Sequence, residues 1–573
     1  MNEPSTQIRL QIVLTGLLVI LIGSIIILAC VPPVSRDALT HHLAIPKLYL
    51  KHGGIHEIPA LIFSYYPMNL DLLYMIPLYF RNDIIPKFIH FAFALFTAWL
   101  IFSHLKKRSD TCYALVGVLF FLSLPIIVKL STTAYVDLGL VFFATAALMF
   151  LFKWTENSFK LRYLTVSAIF CGLALGTKYN GLILLFLFIL FVPLIYSRKL
   201  GSSAALKQTE DEKRKYKTLG EAFGYATAYT IIALVIFSPW AIRNYIWINN
   251  PIYPLYDNWF NTDSTRSELD QDTDFPNHAR DAARYTNQFS NPFVTRKVIY
   301  KESAWQILMI PIRIFIQGKD NNPKYFDGRL NLYLLLLPLF ALFPKTKDSS
   351  KIGTEKKVLI GFSVLFLLIV YFQRDLRVRY IAPIIPPLVI LSTFGLQNMI
   401  HTLGIKNSGS SGKIWTGFIV VCVALLIGMN AVYIWEQFQR VQPIGYLSGR
   451  VGRDAYIEKY RPEYAAIQFA NHHLPENAKI FCLFLGDRSY YSDREMFFGD
   501  AYFKRLIKKE NSAERLRLKF KEINITYFLI RYDIFNQWSG QQFNHNEQTI
   551  LGIFFKEYAE LIFAKGGYGL YRL

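Results

Sequence analysis

Charge is what this sequence has little of. Only 18% of its 573 residues are Asp, Glu, Lys or Arg, where soluble domains carry about 25%, and the shortage excludes an ordinary soluble enzyme. Acid is the scarcer sign: 41 Asp and Glu stand against 62 Lys and Arg, a formal charge of +21. In a soluble chain such an excess would point to nucleic acid. Here loops that must stay in the cytoplasm account for it, so nucleic acid is excluded as a partner. Cysteine is also rare. Of five residues, Cys30, Cys112, Cys171 and Cys422 lie inside apolar runs and only Cys482 falls in a polar stretch. No disulfide framework or zinc spacing exists, which removes redox chemistry as a theme. An internal repeat is missing too, which speaks against transporters built from paired halves.

What is present is apolar. The chain is 53% hydrophobic with a positive mean hydropathy, the composition of an α-helical polytopic membrane protein. A helix needs roughly 20 apolar residues to cross the hydrocarbon, and about eleven transmembrane helices are predicted on that basis. They fall near 9–30, 84–104, 111–130, 134–153, 162–177, 180–197, 222–246, 331–344, 358–372, 380–399 and 415–436. Ile27-Leu28-Ala29-Cys30 looks like a lipoprotein cleavage box, but the run before it is long enough to span and is read as the first helix.

Orientation follows from Lys and Arg in the short loops. One set holds Lys106 to Arg108, Lys153, Lys160, Arg162, the cluster from Arg198 to Lys217 and Lys345 to Lys357, whereas the other set is poorer. That bias predicts a cytoplasmic N-terminus, and an odd number of spans then puts the polar C-terminal region outside. The expected organisation is a membrane domain over 1–439, with outer loops 31–83 and 247–330, followed by an extracytoplasmic α/β domain over 440–573. In that last region a helix is predicted near 461–473, a strand Lys479–Leu485, helices near 499–522, a strand Ile525–Arg531, a helix near 546–558 and a final hairpin about Gly566-Gly567. Leu485-Gly486-Asp487-Arg488 is read as a turn. With about 130 residues the domain can bury its own core.

Acids at the outer ends of spans carry most of the information, because an ionised carboxylate near hydrocarbon is costly and needs a partner or a task. Asp37 follows the first span in Ser35-Arg36-Asp37-Ala38, and Asp137 opens the fourth in Ala134-Tyr135-Val136-Asp137. Each reads equally as a first-turn acid favoured by the helix dipole. His41 lies four residues after Asp37, on the same helix face, so the two could form a base pair or two ligands of a divalent metal. Its neighbour His42 is expected to point elsewhere. His52, His56 and Glu57 share the loop, but no spacing fixes further ligands. Arg374, Arg377 and Arg379 stand in an outer loop against the positive-inside bias, and Lys178 repeats the pattern at the end of another span. Guanidinium forks suit an anionic lipid head group, although ordinary anchoring would leave the same pattern. Gly172 and Gly176 read as a helix-packing pair. Of the many aromatics, Tyr65, Tyr66, Tyr135, Tyr179 and Tyr380 fall near the suspected outer site.

In order along the chain these pieces resemble the GT-C superfamily of membrane glycosyltransferases, relatives of protein O-mannosyltransferases and lipid A aminoarabinose transferases. The resemblance covers most of 1–440. It is carried by Asp37 with Thr40-His41-His42-Leu43-Ala44-Ile45-Pro46-Lys47, by Tyr66-Pro67-Met68-Asn69, and by Tyr135-Val136-Asp137. Gly176-Thr177-Lys178-Tyr179, Asn250-Pro251-Ile252-Tyr253-Pro254 and Arg379-Tyr380 with Pro383, Pro386 and Pro387 complete it. It implies a polyprenyl-phosphate sugar donor, a lipid, glycan or protein acceptor, and inverting transfer outside a bacterial inner membrane. Asp37 would be the catalytic base or orient the acceptor, and Asp137 would be the second outer acid of the catalytic site. Lys178, Arg374, Arg377 and Arg379 would hold the donor phosphate, and His41, His42, Glu57, Tyr66, Tyr179 and Tyr380 would line the substrate. Some relatives carry two adjacent acids where this chain has Asp37-Ala38, which leaves open a metal held by Asp37 and His41. A lipid-linked sugar flippase and an O-antigen ligase or polysaccharide polymerase are the competing readings. The flippase would place charge deep within several spans, whereas this chain keeps it at the ends.

Overall fold

A computed structural model describes residues 4–204, 211–261, 292–342, 350–373, 375–405 and 410–573. Helices occupy the positions of all eleven predicted spans. They begin with α1 (Pro4–Ala29), then α2 (Ala44–Lys51) and α3 (Asn69–Tyr79) in the first loop. The chain continues through α4 (Ile85–Arg108), α5 (Thr111–Ser123), α6 (Pro125–Ser131), α7 (Asp137–Glu156), α8 (Leu161–Leu175), α9 (Gly181–Ala204) and α10 (Asp211–Ile248). The later bundle helices are Tyr333–Ala341, Ser350–Gln373, Ile385–Met399 and Ser410–Val441. By length and composition, seven of the described helices can cross a membrane, or eight if α5 and α6 form one broken span, so the number eleven is not reached on that criterion.

The break between α5 and α6 is a 66° bend. Leu124 takes an extended conformation and Pro125 begins α6; proline forces its predecessor out of the helical region and needs no hydrogen-bonded N–H in a first turn. Helices α8 and α10 meet closely at Gly172, where a Cβ would lie 2.6 Å from the Ala233 carbonyl oxygen, so the small residue serves packing as predicted.

The C-terminal region folds around five strands, β1 (Lys479–Leu483), β2 (Glu495–Phe498), β3 (Tyr527–Arg531), β4 (Glu560–Lys565) and β5 (Tyr568–Arg572), in the order β2-β1-β3-β5-β4. Strands β2, β1 and β3 run parallel, and β5 pairs antiparallel with both β3 and β4. Successive side chains alternate between faces. Phe481, Leu483, Phe528 and Ile530 pack with helices Asp500–Lys509, Ala513–Glu522 and His545–Glu557 on one side, while Ile480, Cys482, Leu529 and Leu570 pack with Tyr464–His473 on the other. The edge strand β2 and the helix Tyr532–Gln542 were not anticipated from the sequence. Gly486 and Asp487 have φ of +68° and +61° and form a turn, with Arg488 paired to Glu463.

This domain sits on the end of the bundle that carries the first loop and grips that loop on both sides of Asp37. The Tyr491 hydroxyl donates to the Pro33 carbonyl at 2.7 Å, Arg461 Nε to the Val34 carbonyl at 2.6 Å, and the Tyr490 N–H to the Leu39 carbonyl at 3.1 Å. In return Lys47 Nζ donates to the carbonyls of Tyr490 and Ser492 and to Asp493, each at 2.9 Å.

The tightest helix approach tests the packing. A Cβ on Gly395 would come within 1.9 Å of the Leu337 carbonyl oxygen, and backbone cannot yield as a side-chain tip does. Gly395→Ala is expected to cost about 1–3 kcal/mol, read as a lowered thermal unfolding midpoint in detergent; an unchanged midpoint would contradict the helix contact.

Candidate active site

Asp37 closes an extended segment and opens a short π-helix, Ala38–His42, whose first backbone bonds draw the chain in beneath the C-terminal domain. Its carboxylate accepts a hydrogen bond from Arg379 Nη1. Arg379 comes from a tight 3₁₀ turn, Val378–Ile384, that leads into Ile385–Met399. Asp137 is the first residue of α7 and accepts from Lys178 Nζ at 2.6 Å. The two pairs share one aromatic surface. Arg379 stands over the rings of Tyr135 and Tyr380 at 5.6 and 5.4 Å, and Lys178 and Arg377 lie 5.6 and 5.9 Å from the Tyr380 centroid. Arg377 also reaches Asp327, at 3.7 Å. Asp37, Asp137, Lys178, Arg377 and Arg379 are thus gathered about Tyr380; Arg374 lies outside the described residues.

Several polar atoms here are buried and unpaired: Asp137 Oδ2, Arg379 Nε and His41 Nδ1. Such groups are costly unless a ligand or water completes them. Burial pushes the Asp37 carboxyl up, yet Arg379, with smaller help from His41 and His42, holds it well below the usual carboxylate range. The His42 ring is buried and its Nδ1 lies 2.7 Å from Asp71 Oδ1. Burial lowers His42 to about 4 and raises Asp71 to about 7, driving both toward their neutral forms. Burial, with His42 beside it, lowers His41 as well.

Contrary to expectation, the neighbouring rings of His41 and His42 lie side by side, 4.0 Å apart, because the wide π-turn brings consecutive side chains together. His41 stacks on Phe63 at 4.2 Å, Phe63 meets Tyr66 at 5.3 Å, and Tyr66 meets Tyr179 at 5.3 Å. A continuous aromatic wall therefore runs from the π-helix to the start of α9. Tyr179 is pinned there, donating to the Tyr253 carbonyl at 2.8 Å and accepting from Asn244 at 3.2 Å. Glu57 is not drawn into the charged group; it accepts from the Tyr65 hydroxyl at 2.5 Å, beside Tyr253. Among the described residues no three His, Cys, Asp or Glu side chains gather to hold a metal ion, and Asp37 faces a guanidinium.

Sequence reasoning missed Asp71 and His90. Asp71 was open to discovery as an acid within an apolar helix. His90 on α4 donates from Nδ1 to the carbonyls of Leu130 and Thr133 at 2.9 Å each and accepts the Leu138 N–H at Nε2, also 2.9 Å. That pattern requires the neutral ring with its proton on Nδ1, and it fixes the start of α7 where Asp137 sits.

Comparison with known proteins bears on this geometry. Residues 62–248, from the first loop to the end of α10, match the family of dolichyl-phosphate-mannose-protein mannosyltransferases. No curated protein matches the chain. Among solved structures, ArnT from Cupriavidus metallidurans in the apo state is similar with a TM-score of 0.52 at 13% identity, over 97% of this chain and 98% of that one. The same protein bound to undecaprenyl phosphate gives 0.51 at 12%, over the same shares. An Archaeoglobus fulgidus oligosaccharyltransferase, tethered to an acceptor peptide containing the NVT sequon, gives 0.50 at 11%, over 96% of this chain and 74% of its own. The chain shares the fold of these solved structures. With seven or eight helices long and apolar enough to cross a membrane, the chain is a multi-pass membrane protein, and its charged group lies at the end of the bundle capped by the C-terminal domain.

Removing the guanidinium should reveal what it holds down. A carboxyl lowered in the folded state contributes stability above its unfolded pKa of about 3.9, lost as pH falls through the folded value. In Arg379→Gln the main influence opposing burial is gone and only the smaller help of His41 and His42 remains, so the Asp37 carboxyl moves up and its stabilisation disappears at a higher pH. Unfolding midpoints measured against pH should show the variant failing about one unit or more earlier on acidification, and about 3–5 kcal/mol less stable at neutral pH, the cost of an uncompensated buried charge. Superimposable pH profiles would refute the pairing.

Proposed function

We propose that the chain transfers a sugar from a polyprenyl-phosphate donor to an acceptor hydroxyl on the outer side of a bacterial inner membrane, with inversion at the anomeric carbon. The observation that carries this reading is the meeting of two acids and three cations around Tyr380, at the end of the bundle covered by the C-terminal domain. The N-terminus is then cytoplasmic, as the loop charges favour. The bound undecaprenyl phosphate of the ArnT relative supports the donor class.

A lipid phosphate is a fair leaving group, so most of the catalysis is positioning and stabilisation of the departing charge. Lys178, Arg377 and Arg379 supply that stabilisation. On the opposite face of the sugar, Asp37 takes the proton of the acceptor hydroxyl as its oxygen bonds to the anomeric carbon and the bond from that carbon to the phosphate oxygen breaks. In the resting pair Asp37 is a poor base because Arg379 holds it down. A donor phosphate that draws Arg379 toward itself raises the basicity of Asp37, so the base is released when the leaving group is in place. Asp137 keeps Lys178 extended toward Tyr380, and the wall of Phe63, Tyr66 and Tyr179 offers faces for a sugar.

The test is transfer or hydrolysis of radiolabelled polyprenyl-phosphate mannose by purified protein. Wild type should turn over, and Asp37→Asn should lose about 10²-fold or more, the usual worth of a positioned base; a parallel chelator arm decides whether a metal takes part. Undiminished turnover by Asp37→Asn would remove Asp37 from the chemistry.

A further inference from the structure

Arg296 sits in a short π-helix of the second outer loop, Thr295–Ile299, and is 1% exposed although its side chain is charged. It meets its surroundings with the whole fork. Nε donates to Asp375 Oδ1 at 2.9 Å, Nη1 to the Lys324 carbonyl at 2.7 Å and to Glu302 Oε1 at 3.4 Å, and Nη2 to the Leu376 carbonyl at 3.5 Å. The guanidinium stands 5.1 Å from the Tyr300 ring and 4.8 Å from that of Phe326, and both rings shield it from water. Asp375 also accepts from the Tyr300 hydroxyl at 3.2 Å, and Glu302 from Arg313 Nη2 at 2.9 Å. The buried charge is thus compensated by two acids.

These contacts converge on the segment that carries two cations of the site. Arg377 is extended, with φ −120° and ψ 146°, so its side chain turns away from those of its buried neighbours Leu376 and Val378. Arg296 holds the Leu376 carbonyl on one side of it. On the other side the Val378 N–H donates to the carbonyl of Phe326, the residue whose ring lies against Arg296, at 2.8 Å. Asp327, next in the chain, faces Arg377 at 3.7 Å and Lys129 at 3.1 Å. Phe326 and Asp327 have φ of +65° and +40°, a conformation that residues with side chains hold only where their surroundings impose it. That strain presents a carbonyl to Val378 and a carboxylate to Arg377. The need for a brace is electrostatic. Arg377 and Arg379 lie 5.9 and 5.4 Å from the same Tyr380 ring, and like charges move apart unless the backbone holds them together.

We propose that Arg296 is a positioning residue for the transfer reaction: through the Asp375 carboxylate, the Leu376 carbonyl and the Phe326 ring it holds Arg377 and Arg379 where the departing phosphate needs them. That role rests on the donor reading above, and brings into the reaction an outer-loop residue that acts only through its neighbours.

Purified full-length wild type is compared with Arg296→Lys, which keeps the charge and loses the fork, and with Asp375→Asn, nearly isosteric with the native acid. Each is measured for turnover of radiolabelled polyprenyl-phosphate mannose, for its thermal midpoint in detergent and for hydrogen exchange over 375–380. Both variants should lose about tenfold or more in kcat, since a misplacement of about 1 Å can cost on the order of 10²-fold. Exchange over 375–380 should quicken, with the midpoints near that of wild type; should Arg296→Lys lower its midpoint, Asp375→Asn carries the comparison. The decisive arm is the double variant. If Arg296 acts through Arg377, Arg296→Lys combined with Arg377→Gln loses less than the product of the two single losses. Losses that multiply, or single variants that turn over as wild type does, overturn the proposal. No turnover by wild type would count against the donor reading instead, and exchange then decides the brace alone: equal rates over 375–380 in wild type and both variants overturn it.

Discussion

A carboxylate taken out of water at the end of a membrane bundle persists only beside a cation, and the pair Asp37 with Arg379 is the contact on which the rest of this site turns. The partners are 342 positions apart, so the fold has to bring the end of the first span against the start of a late one. The extended run through Val34 and Ser35, the π-turn after Asp37 and the 3₁₀ turn through Arg379 all serve that meeting. None of these irregular pieces is stable by itself; each is held by neighbours that use its main-chain groups. The second pair, Asp137 with Lys178, is placed by more ordinary means, a helix start fixed by the His90 ring.

Charge and aromatic surface divide the labour. The cations around Tyr380 are positioned by acids that offset their burial, which keeps them in place before any ligand arrives. The histidines and tyrosines of the wall carry no fixed charge and supply breadth instead. In the proposed reaction such a site needs rigidity more than reactive groups, because a lipid phosphate is already a fair leaving group.

How much of this was legible in the sequence depended on the range of the interaction. Spans were read from runs of apolar residues, a local property, and every predicted span holds a helix. Strands β1 and β3 were read from short apolar runs bounded by turns, whereas β2 is four residues long and lies at the sheet edge, with too little pattern to show itself. The helix Tyr532–Gln542 directly follows β3, where no turn residue separates them. Asp37, Asp137, Lys178, Arg377 and Arg379 stood out because charge at a span end breaks a local rule, and the structure brings those five together. Which acid pairs with which base was not readable, since it is set by packing between distant helices. Glu57 drew notice only by sharing the loop with Asp37, and its own neighbour proved to be Tyr65. Asp71 escaped notice because its partner, His42, is 29 residues away.

The C-terminal domain holds the first loop by the carbonyl oxygens of Pro33, Val34 and Leu39 and by little else of those residues' polar chemistry. Carbonyls are common to all amino acids. Lineages of this protein are thus free to exchange side chains at these three places while the grip persists, but a single insertion or deletion between them would carry every acceptor out of register. Drift in identity with constancy in length is the evolutionary signature this contact should leave.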